Sequence, residues 1–334
     1  RARIGGSVDC SGGRFLGGGN TINLVEAAIS GDAVFHQDFT TDGIIDLRLA
    51  KIGRSLSFNH AHFAGTGDNG VNAERAAIDG PLYWVDIEHT PRTMLDLENA
   101  SATALWDDRA SWPAKGNLVI DGFHYGGFGG DAPADAKTRL KWLALQPGGF
   151  HPQPYAELAQ AQRADGMIED ATSVMIAQRV AQRRHGGLRF AERAWNAILE
   201  VTIGYGFRPL RALWWMAAFV ALGTILFRFG YDARMITPIE QSAYETFSET
   251  GEPPPFYPAF NAFVYSLDNF LPVVELHQCD YWRPNPLHRT KDGQGARPRV
   301  GSTILRWYLW AHILAGWTLM PLLFAGLSGL IRVE

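Results

Sequence analysis

The chain of 334 residues holds only two cysteines, Cys10 and Cys279, near opposite ends of the sequence. That scarcity excludes a disulfide framework, so both are read as free thiols, which suits a reducing compartment around the soluble part. Neither sign of charge dominates. With 30 Lys and Arg against 34 Asp and Glu, the formal net charge is −4. Such a balance gives no bulk attraction to nucleic acid or anionic lipid, and nucleic acid is not an expected partner. Signatures of enzyme chemistry are missing as well: no P-loop, no Ser-His-Asp order, no catalytic pair of carboxylates. Gly17-Gly18-Gly19 and Gly126-Gly127-Phe128-Gly129-Gly130 lack the strand-to-helix spacing of a phosphate loop and read as loop punctuation. No catalytic, cofactor-binding or metal residue is therefore assigned, and no cofactor is expected. The sequence opens at Arg1, without an initiator Met or an apolar leader, and in the middle of a repeat. More chain is expected upstream, a targeting signal among the possibilities.

Charge is also missing from two long runs. Residues 212–227 carry none between Arg211 and Arg228, and residues 307–331 are broken only by His312 before Arg332. A hydrocarbon core ~30 Å thick takes about 20 apolar residues of helix. The second run meets that outright; the first does if its flanking arginines snorkel to the interface. Trp214, Trp215, Trp307, Trp310 and Trp317 suit interfacial belts. The spacing predicts transmembrane helices over about 209–229 and 304–331 within a membrane domain, residues 201–334. Between them, an acidic, Pro-rich stretch with Pro253-Pro254-Pro255 reads as an extended loop, and 284–298 as a polar, basic loop. Residues 256–278 are apolar but interrupted by Asp268, Pro272 and Glu275. They fit an interfacial or re-entrant segment, because Asp268 and Glu275 would each cost a few kcal/mol in a lipid-facing span.

The first third repeats. Ile22-Asn23-Leu24, Ile45-Asp46-Leu47, Val71-Asn72-Ala73 and Leu95-Asp96-Leu97 are each followed by a small or apolar pair: Ala27 and Ile29, Ala50 and Ile52, Ala76 and Ile78, Ala100 and Ala102. The period of about 24 residues belongs to solenoids. Alternation within a copy, as in Ile45, Leu47, Leu49 and then Leu56, Phe58, means strand. The expectation is a parallel β-helix over residues 1–130, with Ile22, Ile45, Val71 and Leu95 as one buried ladder and 65–70 as an insertion in one coil. His60 and His62 alternate on one strand face, weak grounds for a metal.

Residues 131–200 read as a helical adaptor: a short amphipathic helix over 137–145, then a helical hairpin of 155–164 and about 169–184 around Gly166, docking on the open end of the β-helix. Arg183, Arg184, His185, Arg189, Arg193, Arg208 and Arg211 follow. The positive-inside rule makes that side cytoplasmic, and juxtamembrane Arg208 and Arg211 attract anionic headgroups. Arg297, Arg299 and Arg306 against Arg332 oppose the rule at the second span; a third span at 256–278 would reconcile it, at the cost of burying the two carboxylates.

Four polar residues in the membrane half are the functional candidates: Asp268, Glu275, His277 and His312. Asp268 either lines a polar cavity or caps a turn; His312 either works in a pathway or makes a helix-packing hydrogen bond. Glu275, His277, Cys279 and Asp280 cluster metal-type donors but lack a second ligand pair. Thr202-Ile203-Gly204-Tyr205-Gly206 looks like a potassium-channel filter. No apolar span precedes it, and a Gly-containing turn from an amphipathic helix into the first span is expected instead.

Gln153-Pro154-Tyr155, the Thr202–Gly206 run with Phe207-Arg208-Pro209, Phe260-Asn261, Tyr265-Ser266-Leu267-Asp268 and Leu271-Pro272-Val273-Val274 together resemble a group of bacterial membrane proteins. That group pairs a bactofilin- or pentapeptide-type repeat domain with a C-terminal membrane domain and often carries the name membrane-associated oxidoreductase. The resemblance implies a membrane protein and, by label, a redox activity, for which no nicotinamide, flavin, haem or iron–sulfur signature is present in the sequence. The resulting expectation is a multidomain protein: parallel β-helix, helical hairpin and two transmembrane α-helices in the bacterial inner membrane, with the N-terminal domain cytoplasmic. Its role is a membrane-anchored scaffold or accessory subunit, with lipids, other membrane proteins or itself as partners. An oligomeric two-helix channel or transport element is the alternative, and an oxidoreductase a third reading resting on the label alone.

Overall fold

The computed structural model describes residues 2–65, 67–185, 189–285, 287–289, 296–298 and 300–328, with backbone alone at 185, 287–289 and 296–298. The chain divides into two compact units, Arg1–Leu188 and Arg189–Glu334. Expectations that rest on the side chains of His185, Arg297, Arg299 and Arg332 lie outside the described residues.

The first unit opens with a parallel β-solenoid. Short strands, mostly two to four residues, pair with their counterparts one coil away in sheets of six, five, three and five strands. Ile22 pairs with Ile45, Ile45 with Val71, Val71 with Leu95 and Leu95 with Leu118. All but the outermost, Ile22, are buried. The polar residue inside the motif has its own task. The Oδ1 atoms of Asn23, Asp46, Asn72 and Asp96 accept the backbone N–H of Val25, Arg48, Glu74 and Glu98 at 3.2, 3.3, 3.1 and 3.0 Å. Each is an Asx turn, which starts a corner of the coil. Three residues after each of these side chains lies a left-handed residue that completes the corner: Glu26, Leu49, Arg75 and Asn99, at φ 57°, 59°, 55° and 55°.

These corners correct two expectations. Leu49 does not continue an alternating strand; it sits in a corner, 45% exposed. His60 (φ 57°) occupies another corner, while His62 begins the strand His62–Phe63, so the two do not share a strand face. The physical reason is the same in both cases: a closed coil must bend, and a left-handed residue bends it, whatever its side chain. The interior is filled by rings instead. Phe35 stacks on Phe58 at 5.1 Å, and Trp84 contacts both Phe58 and Phe63 at 5.5 Å.

One more coil follows the four full copies. Leu118, Ile120, Phe123 and Tyr125 are buried at the repeat positions, with Phe123 where earlier copies carry Ala and Tyr125 where they carry Ile or Ala. Helices α1 (Ala136–Leu143), α2 (Pro152–Ala164) and α3 (Ile168–His185) pack on one another beyond it. The Glu157 carboxylate of α2 accepts the Tyr125 N–H (3.0 Å) and meets His124 Nδ1 (2.9 Å), while Gln153 Oε1 accepts the Gly122 N–H (2.9 Å). From α1, the fully buried Arg139 guanidinium grips both Asp107 carboxylate oxygens at 2.7 and 2.5 Å. It also lies 3.9 Å over the Phe128 ring. A buried, bidentate pair of this kind is stable only while both partners are present.

The second unit runs α4 (Phe190–Ile203), α5 (Arg211–Asp232), α6 (Gln241–Thr250), α7 (Ala262–Phe270), α8 (Gln278–Tyr281) and α9 (Val300–Leu327). α5 and α9 are long and apolar enough to cross a membrane, and only 22% and 39% of their apolar windows are buried. They run antiparallel: Ala212 near the start of α5 packs with Leu322 and Leu323, and Phe227 near its end with Leu305 and Tyr308. The acidic stretch after α5 is not an extended loop. It contains the strand Ile236–Pro238, paired with Trp282–Pro284, and α6, whose Ala243 and Phe247 sit one turn apart against Trp282. Four-residue spacing of two apolar residues in a polar run was the available signal.

Candidate functional site

Helix α7 forms because the Asn261 side chain caps it, accepting the N–H of Phe263 and Val264 at 3.0 and 3.1 Å. It stops at Leu271, which is extended before Pro272. Nine residues make a half-length element, and it lies against both α5 and α9. At its start, Tyr265 meets Phe227, in the last part of α5, edge-on at 5.0 Å. At its end, Phe270 packs on Val220 and Leu319, near the middles of α5 and α9.

The approach is close because two glycines leave room. A Cβ on Gly223 would collide with Ser266 Oγ, and one on Gly316 with the Phe270 carbonyl. Small residues let helix backbones come together in this way. In the gap, Ser266 Oγ donates to the Val220 carbonyl at 2.9 Å, and His312 Nε2 lies 3.0 Å from the Ser266 carbonyl. His312 is fully buried and touches the rings of Phe227, Phe270 and Tyr308. It fastens α9 to α7.

After Leu271 the chain turns back. Asp268, 9% exposed, accepts the Leu276 N–H at 2.7 Å and the Cys279 N–H at 2.9 Å. Gln278 Oε1 accepts the N–H of Asn261, at the helix's own beginning, at 3.1 Å. The segment therefore goes in at 261 and returns at 278. Asp268 holds the returning segment to the ingoing helix.

The other candidates lie on that return. Residues 271–277 adopt no helix or strand, and Val273 (80% exposed), Val274, Glu275, Leu276 and His277 are all uncovered. Glu275 makes no hydrogen bond or ion pair among the described residues. His277 Nδ1 lies 2.9 Å from Asp280 Oδ2. Partial burial, with the Asp268 and Asp280 carboxylates, pushes the Cys279 thiol up to about 11, so it is a poor nucleophile at neutral pH. Among the described residues, no three His, Cys, Asp or Glu side chains converge as metal ligands.

Arg208 and Arg211 sit elsewhere, at the start of α5. Arg208 is half-buried, its N–H on the Ile203 carbonyl at 3.0 Å, and Arg211 is exposed. The Thr202–Gly206 run is a turn: Thr202 and Ile203 end α4, and Gly204 and Tyr205, both left-handed, reverse the chain into α5. Ser266 enters the sequence reading only within the Tyr265–Asp268 run, and Gly223 and Gly316 belong to no motif there. Isolated glycines inside two long apolar runs were the signal for them. No family model matches the chain, and no significantly similar curated protein or solved structure is found.

Proposed function

We propose that the chain is one subunit of an oligomeric membrane channel or transport element for cations. α5 and α9 span, and residues 256–278 form a re-entrant segment. One observation carries this reading: α7 enters beside the end of α5, stops near the middles of both long helices and turns back through an uncovered, non-helical stretch. Irregular backbone at membrane depth is tolerated only where protein buries it or water reaches it. In a single chain protein leaves 273–277 uncovered, so copies gathered about an axis would enclose it around water. The carboxylate of Glu275 and the carbonyl-bearing C-terminal end of α7 both favour cations.

In this reading Arg189, Arg193 and Arg208, before α5, and Arg211, its first residue, put the start of α5 and the first unit on the cytoplasmic side of a bacterial inner membrane. Helices α2 and α3 act there as a hairpin closing the solenoid. Reconstitution of the full chain in liposomes tests the proposal. Potassium flux above that of empty vesicles, lowered by Glu275→Gln, is expected. A monomer without flux overturns it.

A second reading, a scaffold or accessory subunit, draws on the solenoid. Its surface holds a polar groove of about 660 Å³ lined by Arg14, Asp38, His60, His62, Asp86 and Glu88, a surface suited to another protein. Stoichiometric co-purification of one partner in mild detergent, lost on replacing these side chains by Ala, would favour it.

A further inference from the structure

We infer that a cavity at the N-terminal end of α9 binds the headgroup of one anionic phospholipid. The inference rests on reading α9 as a membrane span. The cavity measures about 580 Å³, and its walls include Thr237, Tyr244, Arg283, Arg306, Leu309 and Trp310. Arg283 is held in place by its strand, since Trp282 beside it is fully buried and pairs with Pro238. Arg306 lies in the second turn of α9, its guanidinium 5.3 Å from the centre of the Trp310 ring.

Neither guanidinium meets a carboxylate among the described residues. Two like charges on one cavity, with no counter-charge built in, call for an anion. A phosphodiester suits them, because each guanidinium offers paired N–H donors in a planar fork. The hydroxyls of Thr237 and Tyr244 can bond the remaining headgroup oxygens.

The remaining wall selects a lipid over free phosphate. Leu309 and Trp310 are apolar, and exposed Trp307, Leu314 and Trp317 continue that surface along α9, where acyl chains would lie. Trp at this level marks the membrane interface. The chain as a whole is acidic, with net charge −4. Retention of an anionic lipid would therefore come from these two side chains and not from bulk attraction.

Native mass spectrometry of the full-length protein in mild detergent tests this with phosphatidylglycerol, phosphatidylcholine and inorganic phosphate as probes. One phosphatidylglycerol per chain should be retained in preference to phosphatidylcholine. The double variant Arg283→Gln/Arg306→Gln should weaken that retention by about tenfold or more. Arg92→Gln, exposed in the solenoid, should leave it unchanged. An unaltered melting temperature without lipid would show the double variant folded. Equal retention of both lipids, or retention indifferent to the two arginines, overturns the proposal. So does arginine-dependent binding of phosphate with no preference for the lipid, which would mark a soluble-anion site. Alkaline carbonate extraction separates the two levels. A chain released as soluble protein defeats the membrane reading itself; a chain that stays in the membrane without lipid preference defeats only the headgroup site.

Discussion

The two units are stabilised in different ways. In Arg1–Leu188, stability is distributed: the four full copies repeat the same inward aliphatic, the same Asx turn and the same left-handed corner. In Arg189–Glu334, order depends on single close approaches, such as the contacts of α7 at Gly223 and Gly316 and the Ser266–His312 bond. Repetition tolerates local variation, so Leu49 can occupy an exposed left-handed corner. One-off contacts tolerate almost none. The first arrangement suits a rigid surface, and the second suits an element whose geometry matters at one point.

The largest effect is expected where the distributed unit is struck at its core. Leu47 is fully buried, and Leu47→Asp would place an unpaired charge there at a cost of several kcal/mol. Loss of the β-type circular dichroism of the first unit at room temperature would check it; survival of that signal would show that the coils bear less than the ladder implies. Slightly below comes the solenoid's end. Arg139→Leu leaves Asp107 buried without its guanidinium and should cost about 3–5 kcal/mol, read from chemical denaturation. Asp107→Asn with Arg139→Leu together should cost less than the sum, because the uncompensated charge is then gone.

In the second unit, Gly316→Val forces α7 away from α9, at about 1–3 kcal/mol or more, since the obstacle is backbone. Thermal melting of the detergent-solubilised chain would register it. The same substitution at Ile304, exposed on α9, should be nearly silent.

A smaller effect follows from protons. Bonds from Arg48 hold the Asp46 carboxyl below its ordinary value, and Ser55 does the same for Asp32. A carboxylate with a lowered folded pKa contributes stability above the ordinary value and loses it as pH falls through the folded one. Asp96, raised by burial, acts in the opposite direction. The melting temperature of the first unit should therefore fall below about pH 4. Asp46→Asn should flatten that fall; an unchanged acid profile would show that its bonds persist in the unfolded chain.

Legibility in the sequence divides along the same line. The solenoid was readable because Ile22, Ile45, Val71 and Leu95 recur in register, and the structure pairs them directly. The coil containing Leu118 was hidden because Phe123 and Tyr125 replace small and aliphatic residues at positions that define the motif. The two long apolar helices were visible as charge-free runs, displaced by a few residues from the helix ends. Asp268 was legible as a buried carboxylate but not its partners, because backbone N–H groups at 276 and 279 carry no mark in sequence. Helix α6 leaves little mark in the sequence, because two apolar residues in an acidic stretch form no pattern until Trp282, far along the chain, covers them.

Cysteine accessibility shows whether residues 273–277 face water within a membrane, as the proposed function requires. In a background with Cys10→Ser and Cys279→Ser, single cysteines would replace Val273 and, on the exposed face of α5, Ile225. A membrane-impermeant thiol reagent should label Val273→Cys in intact proteoliposomes and spare Ile225→Cys, which the proposed span would place against lipid. If Val273→Cys reacts only after detergent solubilisation, the segment is sealed in protein or lipid, and the account of a shared aqueous path is wrong.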